Sequence, residues 1–515
     1  LPRLHHLAGD RPVYLTEFGL DTNRNPEDVQ AALLPTALKS TRAAGFAGAT
    51  LYAWSDHWLN NGQTMDDWSF GLVRRDGSEK PALTALRKLV LPTPLPSNPP
   101  RFSVIICTRN GAERLHACLE ACRNIDYPDF EIILVNDGST DGTETLLDEQ
   151  AKIRAFHLEP SGLSAARNHG AAKATGEILA FTDDDCLPDE QWLTWLACAY
   201  SESNHAAIGG PNLAPKPNSL VLALTTAAPG APTHVMIDDL TAEHLPGCHL
   251  SVKKSAFAQI EGFDPIFQTA GDDVDFCWRL RDAGFTLGFS GASFVWHHRR
   301  ATPWKYLKQQ MGYGHAEALL FKKHPHRFSE GGICWEGCVY RGIALGIEPG
   351  DFIYSGPTGE APYQSLGKML RQPMRGLHPN FDTPITRILL TLLSWLQSHL
   401  RHWKRKQNGG PSARSRWPES PLKDSHPTSR LILTHSNGLG RHELYRLLLK
   451  YGWQPCTSPN FDLQCGSCKL LAATEQTGNP TTRTFIALSQ PSKDLLTLAF
   501  KAGFTASNQM RASSR

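Results

Sequence analysis

"GEILAFTDDDC", Gly176 to Cys186, sets three carboxylates directly behind an apolar run. Adjacent like charges at the end of a strand repel one another, so folding alone gives no reason for them. Either the segment is solvated or a cation sits against it. Two comparable runs lie upstream, "FSVIICTRN" (Phe102 to Asn110) and "FEIILVNDG" (Phe130 to Gly138), each a short apolar stretch ending in polar or glycine-containing residues. The intervening "GAERLHACLEACRNI" and "GLSAARNHGAAKATG" have helical spacing and composition. Strand, helix, strand, helix, strand predicts an α/β fold, its parallel strands joined by right-handed crossovers. Such sheets bind ligands beyond the carboxyl ends of their strands. Three polar clusters, Thr108–Asn110, Asn136–Thr143 and Asp183–Asp185, are therefore expected on one rim.

Asp137, followed by Gly and Ser, is placed to accept hydrogen bonds from a base or a ribose. The same tetrapeptide, Asp-Gly-Ser-Thr, is also an ordinary turn or helix cap, and both readings stay open. Asp183 and Asp185 are residues i and i+2, which point to one side of an extended backbone. Two carboxylates there suit a hard divalent cation, Mg²⁺ or Mn²⁺, with ligand phosphates completing its shell. An acidic solvated turn is the competing reading.

The ordered motifs "SVIICTRNGAERLHACLEA", "VNDGSTDGT", "GLSAARNHGAAKATGEILAFTDDDC", "IEGFDP" and "AGDDVDFCWRLRDAGF" resemble those of family 2 glycosyltransferases. The resemblance covers residues 102–323 and implies the GT-A fold, a Rossmann-like nucleotide-sugar-binding domain with a mixed, mainly parallel sheet. It implies a nucleotide-sugar donor, usually with a divalent metal, and inversion at the anomeric carbon. Carried across, Thr108, Arg109, Asn110, Asp137, Arg167 and Asp183 line the nucleotide pocket. Asp183 and Asp185 form the metal-binding DxD, and His297 is a further ligand, with His298 as its competitor. In "GDDVD" the family usually writes Glu-Asp; here Asp272 replaces Glu, and Asp273 would be the base for the acceptor hydroxyl, a gain of about 10²–10⁴ in rate. Arg299 and Arg300 would neutralise phosphate or be solvated. Gln309, Gln310 and Tyr313 lie on a helix where relatives contact substrates. His249 stands where relatives often have Asn, with an expected effect on acceptor choice.

The first ninety residues resemble something else. "PVYLTEFGLDT" (Pro12 to Thr22), "GATLYAWSDHW" (Gly48 to Trp58) and the run from Asp66 to Val90 look like the last βα units of a glycoside-hydrolase (β/α)8 barrel. Glu17 would be the nucleophile at a strand's carboxyl end, and Trp54 would stack on a sugar ring. Retaining hydrolysis needs a second carboxylate about 5–5.5 Å away, which in that family comes from an earlier strand. The chain begins with Leu and is expected to be a piece of a longer protein, not hydrolytic by itself.

Length and composition frame these readings. A chain of 515 residues implies two to four domains. The net charge of +2 gives no argument for nucleic acid. Twelve scattered Cys suit a reducing compartment; Cys465 and Cys468, with Cys456 upstream, lack the second pair of a zinc site. The Pro-rich stretch to Arg101 reads as a stiff linker. The division expected is 1–92, barrel fragment; 93–101, linker; 102–323, transferase; 324–400, accessory helices; 401–430, basic flexible tether; and 431–515, a small α/β module. "RILLTLLSWLQSHL" (Arg387 to Leu400) is too short and too interrupted to span a bilayer. The expected function is metal-dependent transfer from a nucleotide sugar, leaning to UDP, onto a glycan or cell-envelope acceptor. It is expected in the cytoplasm, with peripheral attachment to the inner membrane an open alternative. Two other readings remain: a carbohydrate- or nucleotide-binding protein that has lost activity, and a fragment of a bifunctional glycosidase–glycosyltransferase.

Overall fold

The computed structural model describes residues 1–9, 12–60, 63–64, 68–89, 95–148, 153–329, 332–337, 354–356, 359–361, 377–411, 429–437, 439, 441–455, 463–476, 482–490 and 492–507. Parts of the Pro-rich linker, nearly half of the accessory segment, most of the basic tether and Cys456 fall outside these.

At the N-terminus β1 (Tyr14–Phe18) and β2 (Gly48–Leu51) pair in parallel, joined by α1 (Glu27–Ala43), with α2 (Pro81–Arg87) following. This one βαβ unit is a two-stranded sheet, and no closed barrel is seen among the described residues. Lys80 is sealed beneath it, its Nζ 2.8 Å from Asp56 and 2.7 Å from Thr22 Oγ1. Glu17 and Trp54 are both exposed.

The central domain is built on nine strands. They are β3 (Phe102–Thr108), β4 (Phe130–Asp137), β5 (Arg154–Leu158), β6 (Ile178–Asp183), β8 (Ala207–Gly209), β10 (Val235–Met236), β11 (Thr241–His244), β12 (Leu250–Lys253) and β13 (Leu287–Phe289), in the order β10-β11-β13-β8-β12-β6-β3-β4-β5. Helices α3 (Ala112–Arg123) and α4 (Leu163–Lys173) connect the first strands as their spacing predicts. The middles of β3, β4 and β6 are continuous apolar runs because both sheet faces are covered. The sheet is less parallel than expected: four of its eight pairings are antiparallel. The continuous parallel run ends at β6, because β12 returns beside it in the opposite direction, and beyond it only β8 and β13 pair in parallel.

A small second sheet of β7 (Cys186–Pro188), β9 (Asn212–Leu213) and β14 (Val295–His297) stands over the rim, with His297 in register with Cys186. Helices α5 (Trp192–Ser201), α6 (Leu220–Ala227), α7 (Asp272–Asp282), α8 (Pro303–Lys323) and α9 (Pro384–Gln407) complete the domain's long elements. α9 corrects one expected boundary. The tether was expected to begin at Arg401, but the helix continues through Gln407, because Arg401 and Arg405 are pinned to Glu317 of α8. Near the C-terminus a six-stranded antiparallel sheet with two helices has its own apolar core around Leu433, Leu444, Leu470 and Leu495.

Candidate functional site

The three carboxylates do not share one environment. β6 ends at Asp183, and Asp184 and Asp185 form the two-residue turn into β7, so the alternation expected of an extended strand breaks there. Each acid instead meets a cation of its own. Asp183 accepts from Arg167 at 2.9 Å. Asp184 points inward, accepting from Thr108 Oγ1 at 2.7 Å and from Arg114 at 3.0 Å. Burial pushes the Asp184 carboxyl up, and Arg114 opposes that. Asp185 accepts from Arg300 at 2.6 Å and lies 3.4 Å from His297 Nε2. Burial opposes its charge, but His297, Arg300 and Arg114 outweigh it and hold the carboxyl well below the usual range.

Thr108 was expected in the nucleotide pocket. It is buried, and its hydroxyl is committed to Asp184. Gly111 permits this: a Cβ there would stand 2.2 Å from Thr108 Oγ1 and 2.3 Å from Asp184 Oδ2. Arg109 is exposed on the rim. Asn110, at φ +54°, ties two rim loops together, its N–H donating to Ser139 at 2.9 Å and its Oδ1 accepting from the Thr140 N–H at 2.8 Å. Asp137 accepts from the Ser161 N–H and hydroxyl and from the Gly162 N–H, all through Oδ1, while Oδ2 takes only the last, at 3.0 Å. Asp137 thus positions the turn that leads into α4.

Arg167 organises the rest. Fully buried on α4, it donates to Asp183 and to Asp272 at the start of α7, and its guanidinium lies over the Phe263 ring. Gly247 leaves it room, since a Cβ there would be 2.5 Å from Nη1. The carboxylates of α7 then separate in character. The Asp272 side chain is 3% exposed and closed off by Arg167; that of Asp273 is 23% exposed. Burial pushes Asp272 up to about 6, with the Asp273 and Asp183 charges adding to it and Arg167 opposing. Burial also opposes charge on Asp273, yet His244 Nε2 at 3.6 Å, the Gly247 N–H at 2.9 Å and Arg167 bring it down to about 2. One carboxylate is closed in by Arg167; the other is held ionised and keeps part of its side chain exposed.

The histidines divide as clearly. His297 is buried beside Asp185, whereas His298 is exposed. Arg299 donates to His297 Nδ1 at 2.9 Å, which leaves Nε2 turned toward Asp185. His249 corrects an expectation. It is fully buried, Nδ1 bonded to the Pro211 carbonyl and Nε2 accepting from Trp192 at 2.8 Å, and burial lowers it to about 4. A neutral imidazole with both nitrogens engaged inside the core has no path to an acceptor. Gln310 is likewise structural, bonded to the Gly230 carbonyl and to Gln397 of α9. Gln309 joins His297, Arg300 and Tyr306 along a narrow cleft.

Sequence reasoning missed Cys186 and Cys248. With His297 they place Sγ and imidazole nitrogen atoms within 4.8 Å of one another, all buried. The only local signal was Cys186 following the acidic run. Arg114 was missed too, although it lies in the first turn of the helix that follows "TRN". Asp185 Oδ1 lies 3.4 Å from His297 Nε2, with Asp183 at the end of the preceding strand, whereas the potential ligand atoms that all lie within 4.8 Å of one another among the described residues are those of Cys186, Cys248 and His297. Carboxylate oxygen with imidazole suits Mn²⁺, and the thiols behind suit a softer ion.

Residues 103–260 match the model of Glycosyl transferase family 2. Among curated proteins, the "Pre-mycofactocin glycosyltransferase" of Mycobacterium tuberculosis is 29% identical over 247 residues, 45% of this chain and 50% of that protein. "Glycosyltransferase AglE" of Haloferax volcanii is 30% identical over 202 residues, 37% of this chain and 64% of that one. The chain thus spans about half the length of the first of these relatives. A mannosyltransferase of Pyrobaculum calidifontis, solved with GDP-Man and Mn²⁺, overlaps at 16% identity with a TM-score of 0.39, covering 63% of this chain and 92% of that one.

Proposed function

We propose that this chain, a family 2 glycosyltransferase by its match over residues 103–260, moves a sugar from a nucleotide-sugar donor to an acceptor hydroxyl with inversion at the anomeric carbon. The observation that carries the reading is the convergence of the two acidic motifs on Arg167, which holds Asp183 with one nitrogen and Asp272 with the other. That bridge sets the donor-side carboxylates of β6 beside the ionised Asp273 of α7.

In this reading the nucleotide lies along the carboxyl ends of β3, β4 and β6, against the rim that Asn110 and Asp137 shape, with Arg109 exposed at its edge. Asp273 takes the proton from the acceptor hydroxyl. The hydroxyl oxygen forms its bond to the anomeric carbon as the bond to the diphosphate breaks, from the opposite face. Asp272 acts through Arg167, keeping Asp273 in place. Arg300 turns from Asp185 toward the departing phosphates, where a preorganised cation stabilises developing charge. Asp183, Asp185 and His297 are the residues that would hold a divalent ion, and such an ion neutralises charge on the diphosphate.

The finer features of this reading follow from the family resemblance: a UDP-linked donor, Mn²⁺ or Mg²⁺, a glycan or cell-envelope acceptor, and a cytoplasmic site of action, where nucleotide sugars are made. The barrel-fragment reading of the first ninety residues has in its support the parallel β1–α1–β2 unit and the exposure of Glu17 and Trp54.

Calorimetric titration of UDP and of GDP, with and without Mn²⁺, tests the proposal on the wild type and on Asp185→Asn. Nucleotide binding that requires Mn²⁺ and disappears in the variant is the expected result. If neither nucleotide binds in the presence of the metal, the donor-site reading fails.

A further inference from the structure

Helix α9 is apolar on two faces, and the fold uses one of them. Its inner face packs on α6 and α8: Leu390 and Leu393 join the core there, Gln397 donates to Gln310 at 2.9 Å, and Arg401 and Arg405 clasp Glu317. The outer face is open. Ile385 is 70% exposed, Ile388 61%, Leu392 53%, Trp395 56% and Trp403 53%, with Leu396 beside them. Their spacing follows the helical period, so they form one stripe along a helix about 36 Å long. A scattered surface Leu needs no explanation, but a continuous stripe with two Trp does.

Charge says what covers it. From Pro384 to Pro418 the sequence carries seven Lys and Arg and no Asp or Glu; Arg387 is paired with Asp382, and Arg401 and Arg405 with Glu317, so Lys404 and Lys406 carry the helix's outward positive charge. The basic residues gather at the C-terminal end of the helix, where Lys404 and Lys406 accompany the exposed Trp403. A second copy docked in parallel would set its basic end against this one and repel it. No helix among the described residues is long and apolar enough to cross a membrane, and α9 has the other pattern: strong amphipathicity, low net hydrophobicity, Trp and Leu on one face and Lys and Arg at the flank. That pattern belongs to helices that lie within the bilayer interface and favour anionic lipid.

We propose that the outer face of α9, Ile385 to Trp403, lies on an anionic phospholipid surface and holds the protein there with its cleft at the membrane. The cleft is one helix away: Arg401 lies over the ring of Tyr313 on α8, and α8 begins three residues beyond Arg300, the partner of Asp185. The inference stands apart from the transferase reading, since it depends on neither nucleotide nor metal.

Flotation of the full chain with vesicles tests it, using phosphatidylcholine alone and phosphatidylcholine with phosphatidylglycerol, at low and high salt. Binding is expected to the anionic vesicles only, to weaken with salt, and to drop at least about tenfold in Leu392→Glu/Trp395→Glu. Ile388→Glu, on the same stripe, gives an independent variant should the double one unfold, and a blue shift of Trp emission on binding reports the insertion directly. Failure of the wild type to float with anionic vesicles overturns the proposal. So does equal flotation of a folded stripe variant. A concentration-dependent dimer in light scattering, abolished by Ile388→Glu and unaffected by vesicles, would assign the face to a second copy instead and overturn it as well.

Discussion

Arg300 Nη1 lies 2.6 Å from Asp185 Oδ2, so a guanidinium from beyond β14 already neutralises the carboxylate expected to meet a metal. The two positive charges compete for one acid. A hydrogen bond to a charged group is worth about 1.5–3 kcal/mol, so Arg300→Gln is expected to tighten Mn²⁺ binding without nucleotide by roughly tenfold or more. The same variant should weaken Mn²⁺-dependent nucleotide binding, because the diphosphate loses a cation. Metal titration by calorimetry, with and without UDP, separates the two effects.

Asp273→Asn removes the ionised carboxylate and leaves the donor side intact. Sugar transfer is expected to fall by about 10²–10⁴-fold, with nucleotide affinity nearly unchanged. Asp272→Asn is expected to lower both, since it unfastens Arg167 from α7 and thereby disturbs Asp183. Turnover measured alongside UDP binding distinguishes base from strut.

Gly111→Ala places a methyl against both members of the Thr108–Asp184 bond. Overpacking of this kind costs roughly 1–3 kcal/mol. A lower denaturation midpoint is expected, together with reduced nucleotide binding, because Asp184 anchors the turn that presents Asp183 and Asp185.

Glu131 supplies a pH dependence away from the site. Burial raises its pKa, but the Thr175 hydroxyl and N–H, Ser103 and Arg154 outweigh it and bring the carboxyl from 4.5 to about 2. The folded value lies below the unfolded one, so its stabilising contribution is present above about pH 4.5 and is lost as pH falls towards 2. Glu131→Gln should therefore be less stable than wild type near neutrality, and the gap should close on acidification. Denaturant midpoints of the two proteins between pH 7 and 3 check this.

Lys80 and Asp56 form an ion pair sealed in the N-terminal unit, with Thr22 and the Ser69 carbonyl completing the ammonium's partners. Removing one member of such a pair leaves the other charge buried and costs about 3–5 kcal/mol. Lys80→Ala should make residues 1–89 susceptible to limited proteolysis while nucleotide binding by the central domain persists.

The local code of the central domain was legible because strand and helix periodicity act over a few residues. "FSVIICTRN", "FEIILVNDG" and "GEILAFTDDD" announced β3, β4 and β6, and the rule that polar clusters collect at carboxyl ends brought Asn110, Asp137 and Asp183 to one rim. Roles within the rim were not legible. Nothing in "DDD" says that the middle carboxylate turns inward to Thr108, nor does "DDVD" say which Asp is closed in and which stays partly exposed. Those outcomes depend on Arg114, Arg167 and Arg300 arriving from other elements, up to 115 positions away. The burial of His249 and the meeting of Cys186, Cys248 and His297 were hidden for the same reason. By itself, then, the sequence determined the order of elements and the edge at which chemistry collects, through interactions between near neighbours in the chain. Only the tertiary structure decided which acid is closed in by Arg167, which keeps part of its side chain exposed and which meets Arg300, because charge and burial are set by what packing brings alongside.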